Sequence, residues 1–449
     1  MQRVAPRTLS GFMELPPDKQ AVFELMTARV RESFEAFGFT PLDTPIIESA
    51  EVLLAKAGGE TEKQIYRFMK GDHDLALRFD LTVPLAKYAA ANYGTLAFPF
   101  RRYQIGKVYR GERPQRGRYR ELYQADIDIV GDGALGLFSE AEIPGVIYTT
   151  FRALGLEDFV IRLNNRKILT GFFERLGLSE KSGDIMRAID KLDKIGGDKL
   201  RALLTEDLGL TAAAADDILP FISGTEDPLS VLSRHEGRSE MFDAGASELR
   251  EVTRLMEDLG VPKTHYKIDL SIARGLDYYT GTVYETTMTK HPEVGSVCSG
   301  GRYDDLAGYY TEKRLPGVGM SIGLTRLFSV LDETGLFNPA LLTSPCDVLI
   351  IPFTEDLSPA ARLAASMRAA GLRVAVYSEN KKLKQKLTYA DKLGVPFAAL
   401  MGEDELAAGM VTVRDMRTGE QTTASPAMLT EGIREKIAAM RALPPIRER

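Results

Sequence analysis

The sequence predicts an α+β chain with a helical insertion in its first part and a small α/β domain at its end. Three observations carry that prediction. Residues 100–131, FRRYQIGKVYRGERPQRGRYRELYQADIDIVG, read as two strands flanking a basic loop. Residues from about 169 to 259 are rich in Leu, Ala, Glu, Lys and Arg, with helical pieces such as AIDKLDKIG and ELREVTRLMEDLG. Beyond Cys346, strand and helix patterns take turns, as in a mostly parallel sheet. At 449 residues the chain has room for two or three domains, and its 44% apolar and 27% charged residues are ordinary for a globular protein. The first residues hold no apolar run, and no 18-residue apolar stretch occurs, so neither a signal peptide nor a membrane span is expected. Cys298 and Cys346 stand far apart without CxxC or Cys/His spacing. That suits a reducing cytoplasm and argues against structural zinc.

The net charge of −6 makes the basic loop unusual. Between Arg101 and Arg120 there are eight Lys or Arg (Arg101, Arg102, Lys107, Arg110, Arg113, Arg116, Arg118, Arg120) and one acid, Glu112. Such a loop suits a polyanion, either a nucleoside triphosphate or an RNA end. The strand after it alternates with period two. Tyr123, Ala125, Ile127 and Ile129 turn toward a core, and Arg120, Leu122, Gln124, Asp126 and Asp128 turn the other way. An amide and two carboxylates on one strand face make a floor for a polar pocket, although a solvated outer face would alternate in the same way.

Tyr109-Arg110-Gly111-Glu112 followed by RPQRGRYREL resembles motif 2 of the class II aminoacyl-tRNA synthetases, in its histidyl-tRNA synthetase form. The resemblance extends from about residue 10 to 425. It implies a class II synthetase-type antiparallel sheet flanked by helices in a catalytic domain of residues 1–335, with the helical insertion at about 169–259 touching tRNA. It also implies a linker at 336–345 and an anticodon-binding α/β domain at 346–449.

Val22, Met26, Val30 and Phe34 recur every four residues, predicting an amphipathic helix from Ala21 to Gly38. Helix, glycine, extended segment and proline, through Pro45, resemble motif 1, which forms the dimer interface in that family. LRFDLTVP (Leu77–Pro84) alternates like a strand, with Arg78, Asp80 and Thr82 on one face. It resembles the family segment whose acid and threonine bind the amino-acid α-amino group. IARGLDYYTGTVYETT (Ile272–Thr287) resembles a histidine-specific signature. A neutral imidazole has one donor and one acceptor, so a pocket selecting it needs a partner of each kind. By resemblance Tyr279 takes one ring nitrogen and Asp128 the other. SGGRYDDL (Ser299–Leu306) reads as a glycine turn and matches a family element that places Tyr303 beside the histidine. GVGMSIGLTRLFSVL (Gly317–Leu331) runs from a small-residue strand into a helix starting near Gly323. Arg326 then lies in the first turn, where N–H groups favour an anion. The position matches motif 3. In the last domain, strands are expected at 348–352, 373–377, 397–401 and 410–416, and helices at 360–370 and 382–393. NKKLKQKL carries four lysines, and resemblance puts Lys382 and Lys384 near tRNA phosphates, as it does Arg116 and Arg118 in the basic loop.

The resemblance implies that histidine is activated by ATP to histidyl-adenylate and then transferred to tRNA(His). Arg110 and Arg274 hold the α-phosphate and the substrate carboxylate, and Arg326 the γ-phosphate. Glu112 fixes the adenine amino group. Asp80, Thr82 and Gln124 hold the amino group of histidine, and Asp128, Tyr278, Tyr279 and Tyr303 surround its ring. Leu122 stands where the family commonly has an aromatic residue against adenine, so that stacking is lost. Mg2+ accompanies ATP. No metal-ligand cluster is visible, the four histidines are scattered, and no structural metal is expected. A homodimer in the cytoplasm is implied. Two other readings are a regulatory subunit of ATP phosphoribosyltransferase and a non-catalytic tRNA-sensing module. The first lacks the C-terminal domain and tends to lose arginines; this chain keeps Arg110, Arg274 and Arg326. The second has no need of the substrate-pocket residues retained here.

Overall fold

A computed structural model of the chain describes residues 3–55, 60–113, 117–273 and 278–447. Arg116 and Arg274 fall outside them. The chain forms two compact units, one of Met1–Met13 with Arg29–Gly335 and the other of Glu14–Ala28 with Leu336–Arg447. Among the described residues no helix is long and apolar enough to cross a membrane.

The first helix runs over Pro17–Ala36, four residues longer at its start than its apolar spacing indicates. Proline suits a helix's first turn, where its missing N–H is not needed. Gly38, at φ +74°, turns the chain out of it. Strand β1 (Thr40–Pro41) comes next, then a small antiparallel sheet of β2 (Ile47–Ser49), β3 (Arg67–Lys70) and β4 (His73–Leu77) in the order β2-β4-β3. The large sheet adds β5 (Phe100–Tyr109), β6 (Glu121–Val130), β7 (Phe159–Asn165), β8 (Tyr266–Ile268), β9 (Thr282–Met288), β10 (Ser296–Tyr303) and β11 (Gly317–Gly323). Its order is β1-β5-β6-β11-β10-β9-β7-β8. Every pair is antiparallel except the two at its ends, β1 with β5 and β7 with β8. Helices Leu137–Leu154 and Leu324–Thr334 bury apolar residues in this unit, including Val146, Phe151, Leu327 and Leu331. Between β7 and β8 the chain is helical from Arg166 to Asp258, as the composition of 169–259 predicts.

Two local readings are corrected. Leu77–Pro84 is not a strand: β4 stops at Leu77, and a helix occupies Thr82–Ala91. Asp80 Oδ1 accepts the backbone N–H groups of Thr82 at 3.2 Å and Val83 at 2.9 Å, which starts that helix, and Pro84 sits in its first turn. The capping chemistry outweighs the alternation. Gly300 and Gly301 do not form a turn either; they lie inside β10. A Cβ on Gly300 would stand 2.2 Å from the Gly319 carbonyl oxygen, so glycine is required by the close approach of β11.

The second unit contains β12 (Val348–Pro352), β13 (Val374–Val376), β14 (Phe397–Met401), β15 (Val411–Asp415) and β16 (Gln421–Ala424), in the order β13-β12-β14-β15-β16. β12 is parallel to β13 and β14, but β14–β15 and β15–β16 are antiparallel. The sheet is mixed, not mostly parallel. The short β15–β16 connection can join only antiparallel neighbours. It is fixed by Asp415, whose Oδ1 accepts the Arg417 N–H at 3.0 Å, and by Gly419 at φ +79°. Helix Pro426–Arg441 brings Arg441 to the buried Asp347, 2.8 Å away. Asp347 also accepts the Arg373 N–H at 2.7 Å, tying the starts of β12 and β13. Asp347→Ala should cost about 1–3 kcal/mol. Amide exchange should accelerate in Val348–Pro352 and Val374–Val376 and stay unchanged in Glu121–Val130.

Candidate active site

Strands β6 and β11 supply the floor of a cavity of about 960 Å3 in the first unit. Asp80 and Thr82, the basic loop after β5, Tyr278 with Tyr279, Tyr303 and Arg326 close around it. Register explains the floor. On β6, Asp126 and Asp128 face Gln104 and Arg102 of β5 on one side, and Ser321 and Gly319 of β11 on the other. A Cβ on Gly319 would lie 2.2 Å from Asp128 Oδ1, and one on Gly317 would lie 2.6 Å from the Tyr303 hydroxyl. Those two glycines are the space that the carboxylate and the phenol occupy.

One end of the cavity is acidic and phenolic. Asp128 Oδ1 accepts the Tyr303 hydroxyl at 2.8 Å, and its Oδ2 is 2.6 Å from Arg102 Nη2. Arg102 has no exposed surface and also donates to the Leu81 carbonyl at 3.1 Å. Burial pushes the Asp126 carboxyl up to about 7 and that of Asp128 up to about 6, against the opposing pull of Arg102. Burial also raises Asp80, while the Val83 N–H and Arg110 hold it back. The rings of Tyr278 and Tyr279 meet edge-on at 4.9 Å, and those of Tyr278 and Tyr303 at 5.8 Å. Burial raises all three phenols, so they remain neutral donors near pH 7. The Thr82 hydroxyl bonds Tyr278. Gln124 Nε2 donates to Ser321 Oγ at 2.6 Å, while its Oε1 is buried without a partner among the described residues.

The other end is basic. Arg110 donates to the Phe79 carbonyl at 3.3 Å and lies 4.7 Å over the Phe79 ring. Arg118 pairs with Glu112 at 3.2 Å. Arg326, in the first turn of helix Leu324–Thr334, donates to the Gly117 carbonyl at 3.0 Å and to the Ser296 carbonyl at 2.8 Å. Leu122 lines the cavity with Tyr119, whose hydroxyl bonds Ser329 Oγ at 2.8 Å.

Asp80, Thr82, Arg110, Glu112, Leu122, Gln124, Asp128, Tyr278, Tyr279, Tyr303 and Arg326 therefore share one cavity, and Arg118 joins them. Arg116 and Arg274 lie outside the described residues. Lys382 and Lys384 are exposed at the start of helix Leu383–Lys392 in the second unit. The basic loop needs correcting, because several of its cations serve the fold. Arg101 pairs with Glu142 at 2.8 Å, Lys107 with Glu121 at 2.8 Å, and Arg102 with Asp128. Sequence reasoning counted Arg102 only as a loop cation, passed over Ser321, and gave Asp126 a place in the floor but no contact. Counting the hairpin register outward from Tyr109 and Glu121 would have set Arg102 opposite Asp128.

A family model described as histidyl-tRNA synthetase matches residues 11–327, and one described as an anticodon binding domain matches residues 347–436. The chain is 51% identical to a histidine–tRNA ligase of Clostridium tetani (strain Massachusetts / E88) over 94% of its own length and 96% of that protein. It is 46% identical to a histidine–tRNA ligase of Xanthomonas campestris pv. campestris (strain 8004), over 93% of this chain and 94% of that one. The crystal structure of histidyl-tRNA synthetase from Nostoc sp. PCC 7120 superposes with a TM-score of 0.88 at 40% identity, covering 97% of this chain and all of that one.

The raised acids set a pH dependence. Asp126 keeps its proton in the folded chain up to about pH 7, whereas an unfolded aspartate loses it near pH 4. The folded state therefore binds more protons across that window, and this group's contribution to stability falls as pH rises through it. Asp126→Asn should raise the melting temperature at pH 8, and the gain should vanish near pH 4 in parallel thermal melts.

Proposed function

The chain belongs to the histidyl-tRNA synthetase family, class II aminoacyl-tRNA synthetases that act as histidine–tRNA ligases, and from that premise we propose how its residues divide the work. The observation that carries the reading is one cavity lined both by Asp80, Asp128 and the phenols of Tyr278, Tyr279 and Tyr303 and by the guanidinium groups of Arg110 and Arg326. Histidine presents an ammonium and an imidazole; ATP presents a triphosphate. A site that offers both carboxylates and guanidinium groups suits both.

Asp80, Thr82 and Gln124 hold the ammonium, and the unpartnered Oε1 of Gln124 is an acceptor in waiting. Tyr279 and Asp128 meet the imidazole, with Tyr278 and Tyr303 walling it. The histidine carboxylate attacks the α-phosphorus of ATP, giving histidyl-adenylate and pyrophosphate, and the histidyl group then passes to tRNA(His). Two anions meet in the first step, so the protein contributes alignment and positive charge rather than a covalent intermediate. Arg110 and Arg274 take the α-phosphate and the attacking carboxylate. Arg326 takes the γ-phosphate, and Glu112 the adenine amino group, with Leu122 packed on the purine. Planar, permanently charged guanidinium suits these contacts better than lysine. Mg2+ enters as part of the MgATP substrate, with phosphate oxygens among its ligands.

Residues 1–335 form the catalytic part, with the insertion at 169–259; 336–345 is the linker and 346–449 the anticodon-binding part. Lys382 and Lys384 on an exposed helix end suit tRNA phosphates, and Arg116 and Arg118 suit the tRNA near the triphosphate. A homodimer would use the element from Gly38 to Pro45. There β1 stands at the end of the large sheet's order, and Ile46 and Ile47, just after the element, are exposed. Two free cysteines, Cys298 and Cys346, suit the cytoplasm.

Histidine-dependent exchange of pyrophosphate into ATP tests the assignment. Arg110→Ala and Arg326→Ala should each lower kcat/KM by roughly 10²–10³-fold with unchanged melting temperatures. Retention of full activity by either variant would remove that arginine from the scheme.

A further inference from the structure

We propose that Glu140 is a positioning residue for histidine, clasping from behind the cavity wall the two strand ends that present Tyr279 and Tyr303. This rests on the histidine-binding reading of that cavity and adds to it a group that touches neither histidine nor ATP.

Glu140 stands in the first turn of helix Leu137–Leu154, has no exposed surface, and lies outside the cavity lining. A first-turn acid suits the helix dipole, but a solvated one would serve as well. Sealing it away adds little stability, because desolvation can cancel the attraction of a buried pair. Its contacts indicate another use. Oε1 accepts Arg302 Nη1 of β10 at 2.7 Å, and Oε2 accepts the backbone N–H of Thr282, the first residue of β9, at 3.4 Å. Its main-chain carbonyl accepts the Tyr284 hydroxyl, also from β9, at 2.6 Å. One residue therefore holds two paired strands.

The clasp closes one residue away from each phenol. Tyr303 follows Arg302 directly, and Tyr279 precedes Thr280, whose N–H donates to the Arg302 carbonyl at 2.8 Å. Arg302 is held on other sides too, donating to the Leu135 carbonyl at 2.9 Å and to Asp304 at 3.1 Å. Its stem lies against Gly281, where a Cβ would come within 2.9 Å of Cδ. The Tyr279 ring lies against Gly301 in the same way, 2.9 Å from the place of a Cβ. A shift of Arg302 therefore moves both rings, and with them the Tyr303–Asp128 bond at 2.8 Å. The triphosphate contacts stand apart. Arg110, Glu112 and Leu122 belong to the β5–β6 hairpin, and Arg326 to the helix after β11. Among the described residues neither carboxylate oxygen of Glu140 bonds to those segments.

The experiment measures pyrophosphate exchange and thermal melts with wild type, Glu140→Ala and Glu140→Gln, varying histidine and ATP separately. Glu140→Ala should raise KM for histidine about 5- to 30-fold while KM for ATP stays within about twofold. Glu140→Gln keeps the length and one acceptor oxygen, so it should recover part of the loss. Equal rises in both KM values would mark a general loosening of the unit and would overturn the assignment. So would a lower melting temperature with both KM values within about twofold of wild type, the mark of a residue that serves folding alone. Should Glu140→Ala not fold, Glu140→Gln decides alone. A histidine KM raised about threefold or more with KM for ATP unchanged supports the proposal, and no rise ends it. Wild type without histidine-dependent exchange would instead sink the functional reading, whatever Glu140 does.

Discussion

The site depends on a guanidinium sealed inside the sheet. Arg102 has no exposed surface, yet its charge acts on Asp80, Asp126 and Asp128 together. Without it, three buried carboxylates would sit close together with less to favour their ionised forms. With it, Asp128 is drawn toward its ionised form and held in place by a 2.6 Å contact. The arrangement is poor as a stabilising device. Arg102 Nε and Nη1 are buried without hydrogen-bond partners among the described residues, and desolvation can cancel the attraction of a buried pair. Its use lies in the electrostatic field it gives the cavity.

That field has to be aimed, and the aim comes from strand pairing. β6 is central, with β5 and β11 on either side, so the period of two places four consecutive cavity-facing side chains in a fixed row. Gly317 and Gly319 then remove the atoms that would occupy the space of Tyr303 and Asp128. The edge of the row is held by pairs that never touch the cavity. Arg302 reaches Glu140 at 2.7 Å and Asp304 at 3.1 Å, fixing the end of β10 from which Tyr303 projects. A rigid row on paired strands suits a site whose task is alignment, because small displacements there cost rate.

Much of this was legible in the residues. The period-two face of β6, the start of the helix carrying Arg326 and the helical character of 169–259 come from patterning alone, because burial enforces those periods. The failures are also physical. Leu77–Pro84 alternates, but the Asp80 carboxylate caps two backbone N–H groups and turns the next residues into a helix. The glycine pair at 300–301 reads as a turn because glycine is common in turns; here it answers to a neighbouring strand, which no local window contains. The cations of the basic stretch counted as one polyanion site because sequence shows charge without its partner. Glu142 lies 41 residues beyond Arg101, and only the fold brings it back.

The misread cations and the half-satisfied Asp126 carboxyl have a common origin. A chain stabilised for its own sake would give Asp126 Oδ1 a donor as it gives the carboxyl Ser321, or replace the residue with an apolar one, since an unbonded buried oxygen and a raised carboxyl both weigh against folding. Local rules are broken where a ligand is expected to complete them. Among the described residues such breaks include Gln124 Oε1 and Asp126 Oδ1 on one face of β6 and the Arg102 Nε and Nη1 groups on the neighbouring strand.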